Sequence, residues 1–330
     1  MNCEADSDLS RDAVASLVSS LTTVARELRS DRSLPSEATE VGRLGLFLAC
    51  LAVASAVSYW VALRLRGVPI VGALSSPNVS GLAIPTLAYA SYRGVSLPFG
   101  PPERSRLADA LATALAPGLA VVATSALLAV GFDASYAALV GWTYHPEASV
   151  ATAAVRAAED AALAGLGFGL LVAVVFDLGS SRVGLSPARA VAATAALVTF
   201  FRSVLRDAAF TLVVFPKPWR VATVSLLLVA TVCGCVAAGV TYRSAVERSL
   251  RPVSRPALAP LFAFGLLGLV AFGTVFAEFP GGVEHLLRAL AFGVAAFGYA
   301  RAESVWVPAA ALALFSISVR LVGFVELAAF

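Results

Sequence analysis

Two groups of charged residues lie inside long apolar stretches of the sequence, where ionisable side chains are rare. Glu159 and Asp160 lie about two helical turns inside the start of one stretch, and Arg202, Arg206 and Asp207 lie near the end of the next. Because consecutive membrane helices run in opposite directions, both groups are expected at a similar depth near the outer face. A charge in lipid is costly and usually faces the protein interior and pairs. We therefore expect a carboxylate of the first group to pair with an arginine of the second.

This charge cluster has three interpretations. It is a buried ion pair that fixes the register of two helices, a functional polar site, or an artefact of misplaced span ends. The functional interpretation makes Glu159 and Asp160 candidate catalytic carboxylates, since general-base catalysis needs a titratable group within reach of water. The only two histidines, His145 and His285, lie far apart in predicted external loops. This spacing excludes a histidine-rich metal centre, and the sequence indicates no cofactor.

The composition places the whole chain in a lipid bilayer. Of its 330 residues, 59% are hydrophobic and 14% are charged, and the mean hydropathy is +0.84. Soluble domains carry about 25% charged residues, so a soluble fold could not cover this much apolar surface. The net charge of +3 is too small to indicate nucleic acid as a partner. The sequence therefore predicts an integral membrane protein whose first partner is the lipid bilayer.

Apolar stretches recur along the chain at the length that a membrane helix needs, which is about 20 residues. The second stretch is interrupted by Ser75-Ser76-Pro77-Asn78 and the eighth is short, so the prediction is an all-α polytopic bundle of eight to nine spans. The nine stretches cover about 44–63, 68–91, 107–130, 153–176, 188–208, 221–241, 257–277, 284–299 and 305–326.

The chain divides into a polar N-terminal segment, residues 1–42, and a transmembrane domain, residues 43–330. The segment contains apolar residues at helical spacing between Arg11 and Leu28, which fits an amphipathic helix on the membrane surface or a poorly ordered tail. Most arginines outside the spans fall on one side if the N-terminus is cytoplasmic. We expect a multi-pass protein of the cell membrane in that orientation.

The C-terminal part contains a motif with a known counterpart. Residues 299–308 read Tyr-Ala-Arg-Ala-Glu-Ser-Val-Trp-Val-Pro. This resembles the last motif of the CPBP family of membrane proteases (CAAX prenyl endopeptidases and bacteriocin-processing proteins). In that family a Tyr-x-x-Thr-x-Ser segment enters a helix through Trp-x-Pro, and His-x-x-x-Asn follows. Trp306 and Pro308 keep this frame, whereas Leu312 and Ser316 stand at the histidine and asparagine positions.

The resemblance extends upstream and covers about residues 221–327. Tyr242 and Arg243 resemble the family's Phe-Arg-Gly segment, but its paired glutamates are replaced by Ala238 and Gly239. Glu278 stands where the family's Phe-x-x-x-His motif has its histidine. In this register the resemblance implies a pseudoenzyme, because the catalytic glutamates and histidines are missing.

An alternative register places Glu159 and Asp160 at the paired-glutamate position, where Ala164 replaces the family's arginine. A further alternative is that helices rich in small residues converge on such patterns by composition. Three functions follow: a non-catalytic CPBP-like protein that binds a membrane protein or peptide, an active intramembrane endopeptidase that uses Glu159 and Asp160, or a transporter whose buried charges line a path.

Overall fold

A computed structural model of the chain describes residues 36–64, 76–132, 135–136, 150–214 and 282–329. Every regular element in these ranges is a helix. The all-α prediction is therefore confirmed for the part of the chain that the structure describes.

The helices are given in chain order, and two of them contain a π-helical turn. Turn π1 leads directly into α2, and α5, π2 and α6 form one continuous helix. The bounds are α1 (Ser36–Arg64), π1 (Val79–Ala83), α2 (Ile84–Arg93), α3 (Leu107–Phe132), α4 (Val150–Ser181), α5 (Pro187–Phe200), π2 (Phe201–Leu205), α6 (Arg206–Val214), α7 (Gly282–Ala302) and α8 (Trp306–Ala329).

Five helices of the described part are long and apolar enough to cross a membrane. They match five of the predicted stretches, and the chain is accordingly an integral membrane protein made of helices. Their bounds are Glu40–Arg64, Arg104–Gly131, Ala157–Ser181, Pro187–Phe210 and Trp306–Glu326.

The remaining predicted stretches have different outcomes. The eighth corresponds to α7, and the second corresponds in part to π1 and α2. The stretches 221–241 and 257–277, and the predicted amphipathic helix before residue 36, lie outside the described residues. The total of nine spans therefore stays a prediction.

Helix α4 is the most buried of the five spanning helices. Small residues allow it to pack closely against α8. A β carbon on Gly165 would lie 2.5 Å from the carbonyl oxygen of Ala309, and one on Gly169 would lie 2.6 Å from the Ala309 nitrogen. Gly165 also faces Ala313. Glycine and alanine four residues apart on facing helices allow the backbones to approach closely, which is a common basis of helix association in membranes.

Glycines also allow turn π1 to pack closely between α1 and α4. A β carbon on Gly81 would lie 2.7 Å from the Ser55 Cα atom on α1. A β carbon on Gly167 of α4 would lie 2.7 Å from the carbonyl oxygen of Asn78, the residue just before π1. The two glycines thus fix the start of this helix between two neighbouring helices.

One end of the bundle collects arginines that lie in or directly next to four helices. We call Arg93, Arg106, Arg182 and Arg301 the arginine-rich end. The Arg182 guanidinium donates to the Arg93 carbonyl at 3.3 Å, and that of Arg106 donates to the Arg301 carbonyl at 3.0 Å. These arginines lie together as the sequence indicated, while the side of the membrane they face stays a prediction.

Candidate functional site

The predicted pairing between the two charge groups is not the pairing that the structure contains. Asp160 lies 3.6 Å from Arg320 on α8, and Arg202 lies 3.0 Å from Asp207, five residues further along its own helix. Glu159 is exposed. The prediction was wrong because it considered only neighbours in the chain, whereas the glycine contacts of α4 bring α8 alongside it.

Arg206 has a different environment from the other charged residues of the predicted cluster. Its Nη2 atom donates a hydrogen bond of 3.1 Å to the side-chain oxygen of Asn78. Its guanidinium carbon lies over the Phe168 ring, 5.5 Å from the ring centroid. Among the residues that the structure describes, no carboxylate forms an ion pair with Arg206. Its charge is therefore held by an amide and an aromatic ring.

The depth of this contact follows from the position of Phe168 on α4. Phe168 is the twelfth of the 25 residues of the span Ala157–Ser181. At 1.5 Å per residue it lies about 17 Å from one end of the span and about 20 Å from the other. We call Asn78, Phe168 and Arg206 the mid-span site. Arg206 itself is the twentieth of the 24 residues of the span Pro187–Phe210, and its guanidinium lies beside the ring of Phe168. An ionisable residue inside a span usually marks a binding site or a pathway for ions or substrates.

Two π-helical turns meet at the mid-span site. Asn78 directly precedes π1, and Arg206 directly follows π2. A π-helical turn disrupts the regular hydrogen bonding of an α-helix, is rare, and is frequent at functional sites. The hydrogen bond between Asn78 and Arg206 therefore joins the irregular points of two separate helices.

Buried hydroxyl groups lie within π2 and on the part of α1 that faces π1. The Oγ atoms of Ser203, within π2, and of Ser55, which faces π1, are buried without a hydrogen-bond partner. Most buried polar atoms in proteins are hydrogen-bonded. Other hydroxyls of the described helices, those of Thr86 and Thr194, are buried in the same way, so this feature accompanies the π-helical turns but is not specific to them.

Two other carboxylates of the described residues are hydrogen-bonded elsewhere. Tyr299 donates to Asp177 at 2.7 Å, and Asp177 lies nine residues beyond Phe168 on α4, or about 13 Å. Glu326 accepts hydrogen bonds from Ser125 and Ser135 at 2.6 Å and 2.8 Å. Neither carboxylate forms an ion pair with Arg206.

The motif at residues 299–308 has a structural role at the arginine-rich end. The Trp306 indole nitrogen donates to the Phe99 carbonyl and the Ser304 hydroxyl donates to the Gly100 carbonyl, both at 2.7 Å. These bonds fasten the turn between α7 and α8 to the loop that precedes α3. Leu312, at the family's histidine position, is a buried core residue.

Comparisons with protein-family models, with curated proteins and with solved structures find no match. The CPBP resemblance consequently stays a prediction. Tyr242, Arg243, Glu278 and His145 lie outside the described residues. Among the side chains that are described, no group of three or more His, Cys, Asp or Glu residues is arranged to hold a metal ion.

The sequence identified Arg206 but not its partners. Asn78 was visible only as part of the polar interruption in the second apolar stretch, and Phe168 was one aromatic residue among many. The signal that was available was the interruption itself, because a polar segment inside a membrane stretch needs partners for its hydrogen-bonding groups.

Proposed function

We propose that this protein acts by binding a membrane partner at the mid-span site and that it does not catalyse hydrolysis. The observation that supports this is a cation inside a membrane span that is hydrogen-bonded to an amide and lies over an aromatic ring at the middle of α4's span. Arginine stays protonated in proteins and asparagine does not titrate, so neither can act as a general base. The site is therefore suited to binding.

The family resemblance fits this proposal. In its first register Ala238, Gly239 and Leu312 replace the residues that would activate water, and a pseudoenzyme of the CPBP type would act through binding alone. The burial of Leu312 supports a packing role for that position. The CPBP assignment itself remains part of the proposal.

The endopeptidase alternative depends on Glu159 and Asp160. Glu159 is exposed, and Asp160 is 60% exposed and paired with Arg320. These two carboxylates lie near the end of the span that begins at Ala157. Their environment offers little support for a water-activating pair inside the membrane.

A transporter is the second candidate, and one observation favours it. The helix that contains π1 begins at Pro77, and the carbonyl of the next residue, Asn78, packs against Gly167, the eleventh residue of its span. Helices that begin at mid-membrane depth contribute to the substrate sites of many secondary transporters. Binding at Arg206 would then be one step of permeation.

The proposal is tested by native mass spectrometry of the protein purified in a mild detergent. We expect a bound molecule that is retained by the wild type and by Arg202→Gln but lost from Arg206→Gln. Arg202→Gln is a matched control because it removes the same charge from the same helix while Arg202 pairs with Asp207. A bound molecule retained equally by Arg206→Gln would contradict the proposal.

The endopeptidase alternative has its own result in the same preparation. Cleavage of a membrane-embedded peptide that is lost in both Glu159→Gln and Asp160→Asn, and kept in Arg206→Gln, would replace binding by catalysis as the function.

A further inference from the structure

The next question is which chemical class of partner the mid-span site accepts. We infer that it binds an oxyanion, a carboxylate or a phosphate, carried on an apolar body. This inference rests on the proposed binding function and adds the chemistry of the ligand.

The first argument is the number of hydrogen-bond donors that Arg206 has to offer. A guanidinium carries five N–H donors in a planar fork, and among the described residues the structure gives one hydrogen bond for Arg206, to Asn78. That fork matches carboxylate and phosphate oxygens, with which arginine forms short, bidentate hydrogen bonds. Arg206 is only partly buried, so a ligand can reach it.

The backbone at the start of the neighbouring helix is already satisfied. The backbone N–H groups of Val79 and Ser80 both donate to the Ser76 carbonyl at 3.0 Å, and the backbone N–H of Asn78 donates to the Ser76 hydroxyl at 3.3 Å. These amides are therefore not required for the ligand. Arg206 is the group that would bind the anion, and Asn78 positions it.

Charged neighbours on the same and on other helices act on Arg206. Arg202 and Arg288 both act on Arg206 as like charges, and Asp207 is the opposite charge that acts on it. Asp207 is shared with Arg202, to which it is paired. The N-terminal end of the helix beside Asn78 adds the positive end of a helix dipole. An anion lowers the energy of this arrangement, whereas a neutral or cationic ligand does not.

The surroundings determine the rest of the ligand. The guanidinium lies over Phe168, which packs against the rings of Phe201 and Phe292. These aromatic rings favour an oxyanion that is attached to an apolar group. A fatty-acid carboxylate and the phosphate of an acidic lipid share this chemistry.

The test uses the full chain in nanodiscs of phosphatidylcholine at alkaline pH, with two matched pairs of probes. Oleate is compared with oleyl alcohol, and phosphatidic acid with diacylglycerol, and inorganic phosphate alone forms a fifth arm. The measurement is the thermal unfolding midpoint as a function of probe concentration. We expect oleate or phosphatidic acid to raise the midpoint, and the neutral analogues and inorganic phosphate to leave it unchanged.

The variants locate the effect. Arg206→Gln should raise the dissociation constant of the active probe by roughly 10- to 100-fold, which corresponds to the usual free energy of hydrogen bonds to a charged group. Arg202→Gln should retain binding within a few-fold. Asn78→Asp provides a second variant, because it keeps the side-chain shape and places a carboxylate against Arg206. It should abolish the response to the probe while the protein still folds.

The outcomes separate this inference from the proposed function. Equal stabilisation by oleate and oleyl alcohol, both dependent on Arg206, would overturn the oxyanion and leave binding at the site intact. Stabilisation by an anionic probe that is unchanged in both Arg206→Gln and Asn78→Asp would place the anion elsewhere and overturn the inference. Loss of the proposed function itself would appear as the absence of any Arg206-dependent ligand in the mass spectra.

Discussion

The arginine-rich end and the mid-span site hold arginine in opposite ways. At the arginine-rich end Arg93 pairs with Glu40, and Arg106 pairs with Glu303 at 3.0 Å. In the mid-span site Arg206 has an amide and an aromatic ring as partners. A charge at a span end is reached by water and headgroups, whereas one near the middle is not. Within the described part of the chain, the cation that contacts a mid-span side chain is thus the one without a carboxylate partner.

The contrast indicates what each region contributes. Ion pairs and hydrogen bonds between loops and helix ends fix the arginine-rich end, which is expected of structural contacts. In the mid-span site close backbone packing holds a charge in an unfavourable place, which is expected where a protein has retained a functional group at some cost in stability. Mutations can break or sharpen this comparison.

The largest expected effect concerns the packing that holds the mid-span site. Gly167→Ala would place a β carbon 2.7 Å from the Asn78 carbonyl oxygen, and this backbone atom cannot move aside easily. We expect the free energy of unfolding to fall by about 1–3 kcal/mol, the usual cost of overpacking. A titration with denaturing detergent measures it.

The matched control is Gly100→Ala at the arginine-rich end, where a β carbon would meet nothing within 4 Å. Its effect should stay within about 0.5 kcal/mol. If both substitutions were equally mild, close packing at Gly167 would not be what positions Asn78.

A second prediction compares one arginine from each region. Arg93→Gln removes the main partner of Glu40, which keeps only Arg43 at 3.0 Å, and should lower the free energy of unfolding by about 1–2 kcal/mol. Burial by itself lowers the pKa of Arg93, but its hydrogen bond to Glu40 and the charge of that residue raise the pKa above the ordinary value. Arg93 is therefore protonated throughout the physiological pH range.

When no ligand is present, Arg206→Gln should not lower the free energy of unfolding as Arg93→Gln does. The substitution removes a charge without leaving a carboxylate unpaired, and Asn78 is an uncharged partner, so stability should be unchanged or higher. The same unfolding titration, run on delipidated protein, measures both variants. A loss as large as that of Arg93→Gln would show that Arg206 is structural, and the contrast between the two regions would disappear.

The helices were predictable from the sequence because a membrane helix needs about 20 apolar residues, and α1, α3, α4 and α8 meet this condition in an obvious way. The partners of charged residues were not, because they depend on which helices pack together. The sequence suggested that charged residues of α4 would pair with those of the next helix, because the two helices are consecutive in the chain.

Asp160 instead lies beside α8, because Gly165 and Gly169 allow α4 to pack closely against that helix. Small residues indicate that two helices approach closely but do not say which two. Likewise, Asn78 became a partner of Arg206 only once the position of π1 beside Gly167 was known. Spacing in the chain thus predicted elements, and three-dimensional packing determined the site.

The smallest expected effect belongs to the pair that replaced the predicted one. Asp160 and Arg320 are 60% and 35% exposed and lie 3.6 Å apart. Exposed ion pairs contribute about 0.2–1 kcal/mol, and a double-mutant cycle of Asp160→Asn with Arg320→Gln should give a coupling energy in that range. Glu159→Gln, which removes the neighbouring exposed carboxylate, is the control and should show no coupling to Arg320→Gln. A coupling energy of several kcal/mol would mean that Asp160 is desolvated in the membrane, and the first carboxylate group would then resemble the mid-span site and not the arginine-rich end.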